Sequence, residues 1–351
     1  MKKTILLFGV FIALKTQAQT QDSTAHLNLS GYVETYYTYD FNQPTSHERA
    51  AFLYNHNRHN EVNINLAYLK VAYNHTKVRA NLALMAGTYA NANLAAENGV
   101  LKNIFEANVG LQLSEKVWLD AGILPSHIGF ESAISKDCWS LTRSILAENS
   151  PYFETGAKLT YTPNEKWTLT ALVLNGWQRI QRVNGNNTPA FGTQIIFKPN
   201  DKTTLNYSTF IGSDKPDVAR QMRIFHNLYG IFQVNDKFGL TAGFDIGTEQ
   251  KAKGNSEVNV WYSPVLIGKY NISDKWAIAG RIENYTDKEG VIIANDFQTN
   301  GFSLNVDFAP LSNALFRIES RLLKSKNKIF TTENGVSDSN FSITSSIAIS
   351  F

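Results

Sequence analysis

A single cysteine, Cys138, stands in 351 residues, so no internal disulfide can form and packing and hydrogen bonds must hold the fold. Long apolar runs are lacking too. Beyond the N-terminus none approaches the roughly 20 residues a transmembrane helix needs. An excess of one charge is also missing. Without Lys2, Lys3 and Lys15 of the leader, the 33 basic residues fall to 30, equal to the 30 acidic ones. The formal charge of +3 therefore gives no argument for a nucleic-acid partner. No G-x-x-x-x-G-K-[ST], G-x-S-x-G or H-E-x-x-H occurs, so nothing marks a phosphate cradle, a nucleophile elbow or a zinc protease site. We expect no catalytic residue, no metal and no cofactor.

What is present begins with a leader. Lys2 and Lys3 precede an apolar run from Ile5 to Leu14, followed by Lys15-Thr16-Gln17-Ala18-Gln19. A positive start, a short apolar stretch and a small-residue exit form a secretory signal. The expected division is a signal peptide over 1–18 cleaved after Ala18, a short segment over 19–26 and one β-barrel domain over 27–351.

The rest of the chain alternates with period two. At its end Phe341, Ile343, Ile347, Ile349 and Phe351 share one face, with Ser342, Thr344, Ser346, Ala348 and Ser350 on the other. Exposed to water, such an edge strand would invite aggregation. It suits a closed barrel in lipid, paired with the segment around Leu27 to Tyr39. Similar strands recur throughout. Val62, Ile64, Leu66 and Tyr68 are read on one greasy face, and Phe105, Ala107 and Val109 on another. Strands Met222–Val234 and Val258–Ile272 alternate less cleanly, the second carrying Pro264.

Turns with Asn or Ser, an acid and Lys begin at Ser114, Asn164, Asn200, Asn235 and Ser273, each before an apolar residue or Thr. Two more short turns lie near Asn74 and Leu311. Longer polar connections fall at about 40–60, 91–102, 125–150, 178–188, 213–221, 250–257, 287–297 and 324–339. Sixteen strands joined by seven short turns and eight long loops predict an all-β, antiparallel, up-and-down transmembrane barrel, with long loops outside and short turns in the periplasm.

In such a barrel the polar set must face the lumen. The candidates are Glu34, Arg79, Glu106, Asp120, Glu154, Lys158 and Asp245, then Arg281, Glu283, Asp307, Arg317, Glu319 and Arg321. An Arg or Lys facing lipid at mid-depth would cost about 2–4 kcal/mol, so the interior is either wet or mutually paired. Acids outnumber bases in this set, which hints at cation preference. The 125–150 loop holds His127, Phe130, Glu131, Asp137, Trp139 and Arg143 as constriction candidates. Trp139, Leu141, Ile145 and Leu146 have near-helical spacing, and the segment either enters the pore or forms a helical lid packed on the rim or against another subunit. His47, Glu48, His56 and His59 in the first loop are more readily solvated than metal-bound.

Two stretches carry a resemblance. They are Asp120-Ala121-Gly122-Ile123-Leu124-Pro125-Ser126-His127-Ile128-Gly129-Phe130-Glu131-Ser132, and the run Ser140 to Leu146 followed by Ser150-Pro151-Tyr152-Phe153-Glu154-Thr155-Gly156. Both resemble the OmpL-like family of outer-membrane β-barrel porins, in which a His often stands where this chain has Glu154. The resemblance implies an outer-membrane porin of a Gram-negative bacterium, with lipid outside the barrel and no catalytic residues. It also implies that Phe351 is the end recognised by the barrel-assembly machinery. The expected function is passive diffusion of small hydrophilic solutes or ions. Alternatives are a non-conducting barrel whose loops bind a partner, or an outer-membrane enzyme. Monomer and homo-oligomer are left open.

Overall fold

The computed structural model of the chain describes residues 25–294 and 296–351. The expected signal peptide lies outside the described residues. The strands are β1 His26–Asp40, β2 Val62–Asn74, β3 Val78–Ala86, β4 Ile104–Ser114, β5 Val117–Pro125 and β6 Phe153–Asn164. Then follow β7 Trp167–Leu174, β8 Ala190–Asn200, β9 Thr203–Gly212, β10 Arg223–Gln233, β11 Phe238–Gln250 and β12 Val258–Asn271. The last are β13 Trp276–Asp287, β14 Phe297–Leu311, β15 Ala314–Ser325, β16 Phe330–Thr332, β17 Gly335–Ser337 and β18 Ser339–Ser350. Strands β16 and β17 form a small hairpin inside the last long loop, and the other sixteen close one antiparallel barrel. Two short helices, α1 Thr88–Asn93 and α2 Ile145–Glu148, sit in long loops.

Closure runs through β1 and β18, with Tyr32 opposite Ser350 and Asp40 opposite Ser342. Gly31 and Phe351 exchange both backbone bonds, at 2.7 and 3.0 Å. A Cβ on Gly31 would lie 2.3 Å from the Phe351 ring, so glycine makes room for the aromatic cap on the seam. The outward residues of β1 and β18 are apolar and exposed, among them Leu27, Leu29, Ile347 and Ile349. Leu82, Val109, Phe302 and Ile318 extend that belt around the barrel. A continuous apolar belt of this kind is a lipid-facing surface. Stacked Trp167–Phe197 and Trp276–Phe308 pairs mark its short-turn rim.

Two bulges correct the expected facing of β2 and β4. On β2 the register with β1 slips between Leu66 and Ile64. The extra residue, Asn65, turns Leu66 and Tyr68 into the lumen, away from Val62 and Ile64. Between β3 and β4 the register slips across Phe105, whose ring stacks on Tyr68 inside the barrel instead of facing lipid with Val109. A bulge re-aims a side chain because one extra residue shifts the two-residue phase. Pro264 breaks the β12–β13 ladder, which jumps from Tyr262–Thr286 to Val265–Glu283. There the Ser263 hydroxyl donates to the Asn284 carbonyl at 2.6 Å.

Candidate functional site

The inward faces of β2 to β6 carry two rows of charge. Lys70 and Glu106 flank Ala83 in register, and that methyl is small enough for Lys70 Nζ to reach Glu106 at 2.5 Å. Two rows nearer the short turns, beyond the Asn81–Asn108 pair, Arg79, Gly110, Asp120 and Lys158 lie side by side. Arg79 grips Asp120 with two parallel bonds of 2.7 and 2.6 Å across Gly110. A Cβ there would lie 2.4 Å from the Asp120 carboxylate, so the pair depends on the glycine. The Arg79 guanidinium also lies 4.2 Å from the Trp118 ring centre.

The opposite wall is dry. The 126–152 loop folds into the barrel, and β13 to β15 hold its backbone. Arg317 donates to the carbonyls of Ser135 at 2.6 Å and of Cys138, Trp139 and Ser140 at 3.1 Å, while bonding Asp307 at 2.7 Å. Arg281 donates to the Thr142 carbonyl at 2.7 Å and to Glu319 at 3.0 Å. Glu319 takes the Thr142 amide at 2.6 Å, and Glu283 takes the Ile145 amide at 2.6 Å and Arg321 at 2.8 Å. Glu34 accepts from the Ser135 hydroxyl and from Asn65. Asp245 accepts from Asn227, whose carbonyl takes the Gly129 amide. Irregular backbone buried this deep needs partners for every N–H and C=O, and the wall's charges supply many of them.

Within the plug, Arg143 donates to the carbonyls of Ser132, Leu141 and Ala133, and Glu131 accepts from both the amide and hydroxyl of Ser144. Ser144 in turn caps α2. Aromatic rings seat in notches left by inward glycines. Added Cβ atoms would lie 2.7 Å from Trp139 at Gly239, 2.5 Å from Phe130 at Gly243 and 2.6 Å from His127 at Gly192. Leu146 and Ala147 pack on Val265 and Ile267 of β12. The near-helical spacing over 139–146 yields only the single turn of α2, because the backbone of 139–144 bonds to wall side chains and to Arg143 and Glu131 and not along a helical ladder. Of the constriction candidates, Asp137 alone is exposed.

His127 sits between Glu154, 2.6 Å from Nδ1, and the Thr209 carbonyl, 2.8 Å from Nε2. Burial alone would push its pKa down, but the Glu154 carboxylate and these two acceptors hold it above the usual histidine value. Burial pushes the Glu148 carboxyl up to about 7, although it accepts from the Tyr54 and Asn55 amides of the first loop. The Cys138 thiol is pushed up to about 11 by burial, so it stays protonated and unreactive. In the first loop His56 lies 3.4 Å from Glu34, and His59 Nδ1 accepts the Asp40 amide. Among the described residues no three His, Cys, Asp or Glu side chains gather as a metal would require.

All thirteen wall candidates face inward, but they divide by task. Those on β13 to β15, with Glu34, Glu154 and Asp245, hold loops. Arg79, Glu106, Asp120 and Lys158 belong to the charged rows on β3 to β6. Their acids are tucked beneath their bases. Side-chain exposure is 28% for Lys70 against 8% for Glu106, and 33% for Arg79 against 3% for Asp120. The excess of acids in the sequence therefore does not describe the wetted surface. Lys70, Tyr68 and Phe105 were missed as lumen residues because both bulges shift the phase. The alternation of Lys70 with Leu69, Val71 and Tyr73 was the signal that could have placed it.

A sixteen-stranded barrel with a lipid-facing belt and a loop bonded into its lumen is the architecture of outer-membrane porins. The chain belongs to the family described as "Putative beta-barrel porin-2, OmpL-like", whose profile matches residues 26–351. No protein of curated function matches its sequence. Solved structures share the fold at low identity. An anion-selective porin from Comamonas acidovorans is 10% identical over 93% of this chain and 100% of its own, with a TM-score of 0.63. The outer membrane channel DcaP of Acinetobacter baumannii is 12% identical over 94% and 99%, with a TM-score of 0.61. OmpT of Vibrio cholerae, an outer membrane protein in its trimer form, is 10% identical over 93% and 99%, with a TM-score of 0.60.

Proposed function

We propose that this outer-membrane porin is a narrow, passive, non-enzymatic channel for small hydrophilic solutes or ions. One observation carries the reading: the plug is bonded to β1, β6, β8 to β10 and β13 to β15, while Lys70 on β2 and Arg79 on β3 stay partly exposed on the inner wall. Sixteen strands give a lumen wider than side chains alone can fill, so a loop on one side narrows the pore without having to seal it. The same proposal includes export through a signal peptide cleaved after Ala18 and recognition of Phe351 by the barrel-assembly machinery. It also includes a homo-oligomer, for which the trimer form of the Vibrio cholerae protein is the precedent. Deep burial of the plug favours a second reading, a sealed barrel whose outer loops bind a partner. Planar-bilayer recording separates the two. Discrete conductance steps from the folded protein are expected, and their absence would reject the channel.

A further inference from the structure

The two bulges build something that a plain diffusion pore does not need. Tyr68 and Phe105 stack at 5.0 Å with their planes 10° apart, and Tyr32 continues the stack from Tyr68 at 5.8 Å. Tyr89 closes on Phe105 edge-on at 6.4 Å. Tyr68, Phe105 and Tyr89, with Met85, line a cavity of about 340 Å³ between the plug and the β2–β4 wall, and Tyr32 backs Tyr68 from outside it. That volume falls in the range of about 300–1,000 Å³ typical of small-molecule sites. Lys70 and Glu106 border the same cavity, with the ammonium the more exposed partner. An ammonium has three N–H donors, and the bond to Glu106 uses one, so two remain for a solute. Two rows below, Arg79 is again more exposed than its acid, and Lys158 stands beside that acid.

Aromatic rings that present edges beside an exposed cation match one kind of solute: a flat apolar body carrying a negative group. We propose that this cavity binds small aromatic carboxylates on their way through the lumen, the ring lying against Tyr68 and Phe105 and the carboxylate on Lys70. The proposal rests on the channel reading for the word "through", but not for the binding itself. Arg79 and Lys158 would receive the carboxylate next, which gives the path a direction toward the short-turn end.

Titration calorimetry on the folded barrel in detergent tests the site, using benzoate, acetate and benzylammonium as probes. Benzoate should bind, and acetate and benzylammonium should bind at least about tenfold more weakly, since each lacks one half of the match. Lys70→Gln and Phe105→Leu should each weaken benzoate by roughly threefold or more. Unchanged heat-modifiable migration of each variant on gels establishes that its barrel is folded. Should Lys70→Gln prevent folding, Lys70→Arg serves in its place and should retain benzoate binding. Equal binding of benzoate and acetate, equal binding of benzylammonium, or a Phe105→Leu barrel that binds benzoate like the wild type would each overturn the proposal. Bilayer recording is independent of these outcomes. Benzoate binding without conductance rejects the channel and keeps the site, whereas conductance without benzoate selectivity does the reverse.

Discussion

Replacing Arg317 by Ala isolates what holds the plug. The guanidinium is fully buried, reaches four plug carbonyls and pairs with Asp307. Each hydrogen bond from a charged group contributes about 1.5–3 kcal/mol, so a simple sum over the plug bonds would be far too large. Water entering the space left by the side chain would re-satisfy several carbonyls. A better guide is the loss of one partner from a buried ion pair, about 3–5 kcal/mol. Asp307 retains Asn305 at 2.7 Å and Lys269 at 3.9 Å, which favours the lower end. At 1.4 kcal/mol per tenfold, 3 kcal/mol raises the undocked fraction of the plug by roughly a hundredfold. Hydrogen exchange reads this directly. The Leu141 amide bonds Asn305 and the Thr142 amide bonds Glu319, so both report docking. They should exchange about a hundred times faster in Arg317→Ala, while amides in β6 to β9 keep their protection. Single-channel conductance should rise in parallel. Arg317→Lys, a point charge without the planar fork, should fall between the two. If both amides exchange at the wild-type rate in a folded variant, wall charges do not hold the plug.

Gly243→Ala forces a Cβ to 2.5 Å from Phe130 and should cost about 1–3 kcal/mol of stability, read as a lower midpoint in denaturant. Gly31→Val displaces the Phe351 ring from the closing seam and should lower the temperature at which the folded band is lost on unheated gels. Burial raises Glu148 to about 7 from an ordinary 4.5, so the folded barrel binds more protons than the unfolded chain between those values. That contribution is complete below about pH 4.5 and is lost as pH rises through about 7; Glu148→Gln should flatten thermal stability across this window, and an unaltered pH profile would remove Glu148 as its cause.

Strand count, turns and facing were largely legible, because a lipid-exposed wall imposes period two on every strand. The Asn, Asp and Ser turns were legible because their side chains bond their own backbone, as Asn164 and Asn200 do to the amides two residues on. Phase errors fall at the bulges of β2 and β4 and at the loop end of β6, where Phe153 is buried beside the plug. A bulge leaves no mark in composition, and Asn65 looks like any polar residue in the alternation. The plug was visible as a part-apolar loop, but its path was not. Its residues have no period because the partners of their backbone are side chains of strands far apart in the chain, β8 to β10 and β13 to β15, and Arg143 and Glu131 of the loop itself. One clue went unread: Val265 and Ile267 on β12 and Leu172 and Leu174 on β7 are apolar yet face inward. An apolar residue on the inner face of a barrel must have something packed against it.

The same consideration explains why the inner wall carries so many buried charges. Burying an ion pair gains little stability and is often worse than burying well-packed apolar groups. Here Arg281, Arg317, Glu283 and Glu319 do what a helix or sheet does elsewhere, supplying donors and acceptors to backbone that has no regular structure of its own. Arg and Glu suit this because they are long enough to reach past the inner wall to the backbone of the loop packed on it. On β2 to β6 the same residue types stay more exposed, because Ala83 and Gly110 let each pair lie flat along the strands. Side-chain size at two positions therefore separates a wall that grips a plug from a wall that faces a solute. Gly110→Leu would then lift Arg79 off Asp120 and into the open path, narrowing the channel from the side the plug leaves free.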